Sequence, residues 1–527
     1  MDRREFMKTP VQGALAASIL RGQTVQGRTA EMKPLPNILF LMADQVTPFM
    51  LGPYGQKAAR TPSLDRLAAA GTVFDSAYCA SPLCVPSRIG MLTGRLPHKA
   101  GGYDNASEFG AHLPTFLHYL KRAGYRTAGA GKCHFVGPEQ KHGFDERLTP
   151  DIYPANFSML PDWRVGPVFN EGTSVGEQLH MLGPSKWTQQ LGYDQMTFDR
   201  AMAWLGEYEI RPQARKPFFL YVSFTQPHDP FTTTQEFLDL YKDVDIPLPQ
   251  DYGDILQLSP TYEWIEIHHG INRVKLTPAR IGEARRNYLG MVSWVDDRIG
   301  KLLAELRRLG LDDNLVVFFT SDHGEMLGEH HQWSKRLMLE WSSRVPLIIS
   351  APGILPEGRR VGGPVSLLDL FPTFCDLANV KTDTEVDGQS LLPSLSGHES
   401  NQERPVIAEY LGEGTIEPVR MVRMGQYKYI TVNSYPPQLY DLSSDPDETV
   451  NAAGRAEYSK VEAQLRKVAE KDWDGPGLKR TVMQNQQDRL MIRSIKEDGI
   501  TPNWNYEPVE TGPYNPLTDF AGKGFKP

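Results

Sequence analysis

Four short apolar runs, each ending in a polar cluster, dominate the hydropathy pattern of the chain. Ile38–Met42 runs into Asp44-Gln45, Pro217–Phe224 into Thr225-Gln226-Pro227-His228-Asp229, and Leu315–Thr320 into Ser321-Asp322-His323-Gly324. A weaker run, Tyr125–Ala130, leads to Gly131-Lys132-Cys133-His134. Continuous apolar runs of this length predict strands buried on both faces. A helical pattern separates the last two long runs. Thr277-Pro278 reads as an N-cap with proline at the first helical position, and Tyr288, Met291, Val295, Ile299, Leu302 and Leu306 then recur at spacings of three and four until Gly310. Strands alternating with such helices predict an α/β domain over 35–395, built on a mostly parallel sheet. In sheets of that kind ligands bind beyond the carboxyl ends of the strands, where Asp44, Gln45, Lys132, His134, His228, Asp322 and His323 fall.

The pattern changes near residue 395. Val406–Tyr410 and Val419–Val432 have strand composition, Leu439–Leu442 precedes an Asp445-Pro446-Asp447-Glu448 turn, and a helix is expected over about 457–471. Residues 396–475 therefore read as a smaller α+β subdomain. Residues 476–527, rich in Pro, Gly and Asn, read as an extended tail. At the other end, Arg3-Arg4 followed by the apolar run Val11–Leu20 reads as a twin-arginine export signal over 1–30. That reading places the mature chain in the periplasm or outside the cell; without the signal it would be cytoplasmic. The run is about half the roughly 20 residues needed to span a bilayer, so no membrane association is expected.

Composition narrows the function classes. A charged fraction of 23% and an apolar fraction of 40% are ordinary globular values. A net charge of -8 argues against a nucleic-acid partner. The four cysteines, Cys79, Cys84, Cys133 and Cys375, form no C-x-x-C pair, which argues against a zinc knuckle or a thioredoxin-type site. Asp44, Gln45, Asp322 and His323 offer three oxygen donors and one imidazole, a set suited to a hard or borderline divalent cation.

The most specific signal is Cys84-Val85-Pro86-Ser87-Arg88, continued by Thr93-Gly94. It matches C-x-P-S-R-x-x-x-x-T-G at every fixed position, and through it the chain resembles the type I sulfatases. Further segments, among them Asn37–Gln45, Gly102–Ala106, Gly131–Pro138 and Glu409–Gly414, are most similar to choline-sulfatases. The resemblance implies an alkaline-phosphatase-like fold and hydrolysis of a small sulfate ester, choline-O-sulfate or a relative of it. It implies that a maturation enzyme oxidises Cys84 to 3-oxoalanine (formylglycine). The hydrated aldehyde would attack sulfur through one hydroxyl and expel sulfate through the other. Asp44, Gln45, Cys84, Asp322 and His323 would surround one divalent ion, calcium by family default, with manganese or magnesium as alternatives. Arg88 and Lys132 would hold the nucleophile and the sulfate, His134 would bond the nucleophile's hydroxyl, and His228 and Lys335 would serve the leaving oxygen.

A cage for a quaternary ammonium would draw on Tyr103, Phe157, Trp163, Glu409 and Asp519. The segment Tyr514–Asp519 resembles a tail that completes a neighbouring subunit's site, implying a homo-oligomer with tail exchange. Two other enzyme readings stay open, a carbohydrate sulfatase and a phosphonate or phosphate diester hydrolase of the same fold, the latter because Gln45 and His323 also resemble phosphonate monoester hydrolases. A non-catalytic binding protein would need a broken cysteine motif, and the motif is whole.

Overall fold

The computed structural model describes residues 34–210, 216–250, 259–398, 401–495 and 504–508. The expected export signal and Asp519 lie outside these residues. The main sheet comprises β1 (Asn37–Ala43), β2 (Gly71–Tyr78), β3 (Arg126–Gly131), β4 (Glu146–Arg147), β5 (Phe218–Phe224), β6 (Leu315–Thr320), β7 (Arg344–Ser350), β8 (Arg359–Val361) and β9 (Val365–Ser366). The spatial order is β8-β2-β7-β6-β1-β5-β3-β4, with β9 also on β2. The pairs around β1, β3 and β5 are parallel, whereas β7 runs antiparallel to both β2 and β6. The sheet is thus mixed and mostly parallel.

Strict alternation along the strands divides the core into two layers. Leu39, Leu41, Leu220, Val222, Val317 and Phe319 face one side. There they meet Tyr288, Met291, Val295, Ile299, Leu302 and Leu306 of the long helix Pro278–Arg308, the positions that the period of three and four picks out. Ile38, Phe40, Phe219, Tyr221, Val316 and Phe318 face the other side, against Val85, Ile89, Phe116 and Phe374. Burial at both faces explains why these strands carry no polar positions until their ends. The parallel register then sets those ends side by side: Ala43 pairs with Phe224, Met42 with Thr320 and Gly131 with Ser223.

The second sheet is an antiparallel meander of β10 (Val406–Tyr410), β11 (Val419–Met424), β12 (Tyr427–Val432) and β13 (Gln438–Asp441). The stretch Val419–Val432, of strand composition, folds into two strands because Gly425, at φ 58°, makes a tight hairpin. One face packs on the helix Ser459–Glu470 through Leu465 and Ala469. The other meets Tyr78, Leu83 and Met338 of the main domain. The chain past 475 departs from expectation. Instead of running extended, Gly475–Ser494 forms a helix. Asp474 caps it by accepting from Gly477 N at 2.9 Å, and Pro476 sits in the first turn, where a missing N–H costs nothing. Val482, Gln486 and Arg489 recur on its buried side, and Arg489 makes two 2.7 Å bonds to Asp104. Among the described residues no helix is long and apolar enough to cross a membrane.

Candidate active site

Cys84 opens a ten-residue helix, Cys84–Thr93, that is buried along its whole length. Gly90 permits the close approach, since a Cβ there would stand 3.1 Å from Ala80 Cβ and 3.2 Å from Arg95 O. Gly94, at φ 67°, ends the helix with its N–H on Gly90 O. The fixed positions of the cysteine motif thus have separate structural duties. The positive end of the helix dipole lies at Cys84. Ser87 Oγ donates to Asp322 O at 2.6 Å, locking the helix to the end of β6. Arg88 is held from four directions: Nε donates to Asp322 Oδ2 at 2.9 Å, and Nη1 donates to Lys132 O, Tyr221 Oη and Ser223 Oγ at 2.6, 2.9 and 3.2 Å.

The strand ends complete the centre. Donor atoms of Asp44, Cys84, Asp322 and His323 all lie within 4.8 Å of one another. Cys84 Sγ is 3.2 Å from His323 Nε2 and 4.0 Å from Asp44 Oδ1. Lys132 Nζ donates to Asp44 Oδ2, and Arg88 Nη2 is 4.0 Å from that oxygen. Burial alone would raise the Asp44 pKa, but Lys132, His228 and Arg88 hold it well below the usual carboxylate range. For Lys132 burial works toward neutrality, and Asp44 outweighs it, so the ammonium persists. Burial pushes His323 down to about 4, leaving a neutral imidazole whose Nδ1 lies 3.0 Å from Gly324 O and whose Nε2 faces the cluster. Two carboxylates and a neutral imidazole fit a hard or borderline divalent cation, whereas a thiol at position 84 would not suit calcium or magnesium.

Gln45 stands beside this group at φ 68°, its N–H on Asp322 Oδ1 at 3.2 Å. Its carboxamide is otherwise engaged: Oε1 accepts from Lys335 Nζ, while Nε2 donates to Glu325 and, at 3.0 Å, to Asp229. A ligand role for Gln45 therefore requires its oxygen to exchange Lys335 for the ion. Lys335 Nζ also lies 2.8 Å from His228 Nε2, and His228 Nδ1 lies 2.8 Å from Asp229 O. His134 stacks on Tyr153 at 4.6 Å between centroids. Both its ring nitrogens are buried without a partner among the described residues, and burial, reinforced by Lys132, holds its pKa well below the ordinary value. Lys132 Nζ lies 4.5 Å from the centre of the same Tyr153 ring.

A cavity of roughly 590 Å³ joins these groups. Cys84, His134, Tyr153, His228 and Lys335 line it with Asn105, Arg336 and Glu413, and the exposed Val165 and Val168 stand at its rim. All six residues expected to act in catalysis sit in this centre, brought together from four separate segments. The expected substrate cage does not form as a unit. Trp163 lines the cavity and donates its indole N–H to Gly412 O at 3.0 Å. Tyr103 is packed behind it with Leu411 and Val482, and Phe157 packs against Trp504. Glu409 is corrected outright. It is fully buried, bonds His98 at 2.8 Å and lies 3.6 Å from Arg420, so its carboxylate serves the fold. Glu413, four residues further on, does line the cavity, as do Asp162, Glu171 and Asp229. Glu413 Oε1 accepts from Arg336 at 2.9 Å and Asn105 at 3.1 Å, and its Oε2 has no partner among the described residues. Glu413, Arg336, Tyr153 and Asp229 are not singled out as site residues by the sequence, although Asp229 lies in the polar cluster after Phe224 and Glu413 in the segment Glu409–Gly414.

Residues 36–380 match the family model described as Sulfatase, and residues 328–473 match that of the C-terminal part of N-sulphoglucosamine sulphohydrolase. The chain is 35% identical to a choline-sulfatase of Rhizobium meliloti, over 90% of this chain and 94% of that protein. It is 30% identical to an N-acetylglucosamine-6-O-sulfatase of Bacteroides thetaiotaomicron, over 86% and 90% respectively. Among solved structures, the phosphonate monoester hydrolase of Agrobacterium radiobacter superposes with a TM-score of 0.68 at 24% identity, covering 85% of this chain and 96% of that one. At that identity the last comparison speaks for the fold alone.

Proposed function

The chain belongs to the sulfatase family and is a sulfuric ester hydrolase; from that premise we propose that it cleaves a small cationic sulfate ester, choline-O-sulfate or a close relative, using formylglycine at position 84. The observation that carries the substrate reading is Glu413, which lines the same cavity as Cys84, Tyr153, Trp163 and Phe169 and whose buried Oε2 has no partner among the described residues. A carboxylate and aromatic side chains lining one cavity suit an ammonium group. The R. meliloti relative is named for choline sulfate.

Within this reading, formylglycine at 84 would supply the attacking hydroxyl and a second hydroxyl for sulfate release, and a divalent ion would be held by Asp44, Asp322 and His323 and would supply Lewis-acid polarisation there. The remaining work falls to the chain. Arg88 and Lys132 are fixed cations that stabilise charge growing on the sulfuryl oxygens, an effect worth a few kcal/mol per donor. As the S–O bond to the alcohol breaks, His228 delivers a proton to the leaving oxygen, replenished through Lys335 at 2.8 Å. His134, buried and neutral, accepts the proton of the second hydroxyl when sulfate departs.

A second reading is favoured by cavity size. Roughly 590 Å³ exceeds what choline sulfate fills, and Asn105, Asn170 and Gln178 on its walls could bond sugar hydroxyls, as a carbohydrate sulfatase needs. Initial rates on choline sulfate, glucosamine 6-sulfate and phenyl phosphonate esters separate the readings. Choline sulfate is expected to give the highest kcat/KM, and a sugar sulfate or a phosphonate ranking first would overturn the assignment. Peptide mass spectrometry is expected to show the Cys84 thiol replaced by an aldehyde; unmodified cysteine in fully active enzyme refutes the nucleophile. We also infer export by the twin-arginine route and a homo-oligomer that shares its C-terminal tails, the first checked by N-terminal sequencing of the mature protein and the second by sedimentation.

A further inference from the structure

His228 sits on a turn rather than on a regular element, yet its ring must be aimed. Its backbone N–H closes the turn on Thr225 O at 2.9 Å. The rest of the restraint comes from the helix Gln189–Glu209, which lies behind β3 and β5. Asp194 on that helix accepts Thr225 N at 2.7 Å through Oδ1 and Gln226 N at 2.8 Å through Oδ2. One turn earlier on the same face, Gln190 Nε2 donates to Asp229 O at 2.8 Å. That carbonyl is also the partner of His228 Nδ1, so it leaves Nε2 as the ring atom facing Lys335.

Asp194 is fully buried, and no cation pairs with it among the described residues. Burial raises its pKa to about 7 even though both backbone N–H groups oppose the rise. A buried carboxyl without a cation is costly. Its two oxygens are spent on the two residues that begin the His228 turn.

We infer that Asp194, assisted by Gln190, is a positioning residue for His228, clamping both ends of the turn so that Nε2 addresses the oxygen of the departing alcohol. This inference rests on the general-acid role of His228 proposed above, and the experiment separates the two. Asp194→Asn, Gln190→Ala, His228→Ala and the Asp194→Asn/His228→Ala double variant of the full-length, metal-loaded enzyme are compared on choline sulfate, phenyl sulfate and 4-nitrophenyl sulfate.

General acid catalysis contributes about 10²–10⁴-fold. Asp194→Asn is therefore expected to slow kcat on choline sulfate by about tenfold or more and on 4-nitrophenyl sulfate by less than about threefold, with KM unchanged. Gln190→Ala should show the same pattern at smaller amplitude, and it carries the test if Asp194→Asn does not fold. The double variant should be no slower than His228→Ala. Equal losses on all three esters, or a further loss on top of His228→Ala, overturn the clamp. A His228→Ala variant that slows all three esters equally overturns the acid assignment, and the clamp with it.

Discussion

Replacing Asp322 by Asn tests the metal centre with a readout that does not depend on turnover. Asn preserves the shape of the side chain and one acceptor for Gln45 N and His323 N, which bond Asp322 Oδ1 at 3.2 and 3.1 Å. What disappears is one negative charge, 2.9 Å from Arg88 Nε and inside the donor group of Asp44, Cys84 and His323. At an effective dielectric constant of about 20, a carboxylate about 2.4 Å from a divalent ion is worth roughly 14 kcal/mol before desolvation. If a fifth of that survives, about 3 kcal/mol, the ion binds about a hundredfold more weakly. Wild-type enzyme at an ion concentration of 100 Kd should gain about 2.7 kcal/mol. For a fold of this length, with an unfolding entropy near 1 kcal/mol per kelvin, that raises Tm by about 3 °C. The Asn variant at the same concentration should gain less than about 0.5 °C. Its metal-free Tm should also lie about 3–5 °C lower, because Arg88 loses its nearest counter-charge. Calorimetry with and without calcium, together with the metal content of the dialysed protein, reads both effects. An Asn variant that keeps its full metal content and the full calcium-induced rise in Tm removes Asp322 from the ligand set.

Glu413→Gln should lower kcat/KM for choline sulfate by about tenfold or more, in the range of a charge-assisted contact, and change that for 3,3-dimethylbutyl sulfate by less than about threefold; equal effects on the cationic ester and its neutral isostere refute the cation subsite. His142 is buried, stacks on Phe109 at 3.7 Å, and has its pKa pushed down to about 4 by burial. Because the unfolded chain takes up its proton near 6.5, this group's contribution to stability is complete above that pH and is lost as pH falls toward 4. Between pH 7 and 5 it should cost about 2 kcal/mol, or about 2 °C in Tm, and His142→Phe should reduce the acid sensitivity by that amount in pH-dependent calorimetry.

The elements legible in the chain are those where one physical demand acts alone. β1, β5 and β6 are buried on both faces, so their residues from Ile38, Phe218 and Leu315 onward are apolar up to Ser223 near the end of β5 and Thr320 at the end of β6. β2 and β7 are hidden by conflicting signals. β2 carries Asp75 and Ser76 at a register shift between Phe74 and Ala77, and β7 has Pro346 inside an interior strand. That proline lies between Val345 and Leu347, which pair with Ala77 and Phe74 on either side of the register shift, so it faces the irregularity where the ladder is interrupted. The helix Gly475–Ser494 was masked by glycine and proline, which usually break helices but here occupy its first turn. In the site, the residues at strand ends and in the cysteine motif could be read because position along the strand fixes where they go. Arg336, Tyr153 and Asp194 could not, and Glu413 only as one residue of the segment Glu409–Gly414, since a lone charged or aromatic residue becomes informative only when the fold brings another group to it.

The charge arrangement explains how a chain of net charge -8 can draw an anionic ester into a buried centre. Around the cavity Arg88, Lys132, Lys335 and Arg336 are matched by Asp44, Asp322, Asp229 and Glu413, so the centre is close to neutral before any ion binds. A divalent ion among Asp44, Asp322 and His323 would add its charge beside Cys84. Glu413, joined through Asn105 to the backbone of Val85, keeps one oxygen without a partner among the described residues. In the proposed reading the cavity would be positive beside the ion, where sulfate would sit, and negative beside Glu413, where the alcohol part would sit. A zwitterionic ester gains from both ends of such a field. A neutral alcohol sulfate gains from one, and an alcohol part bearing a second anion is repelled by Glu413. Substrate preference in this reading is therefore set jointly by the ion and Glu413. Neutralising Glu413 should flatten the preference for cationic esters while leaving hydrolysis of simple aryl sulfates in place.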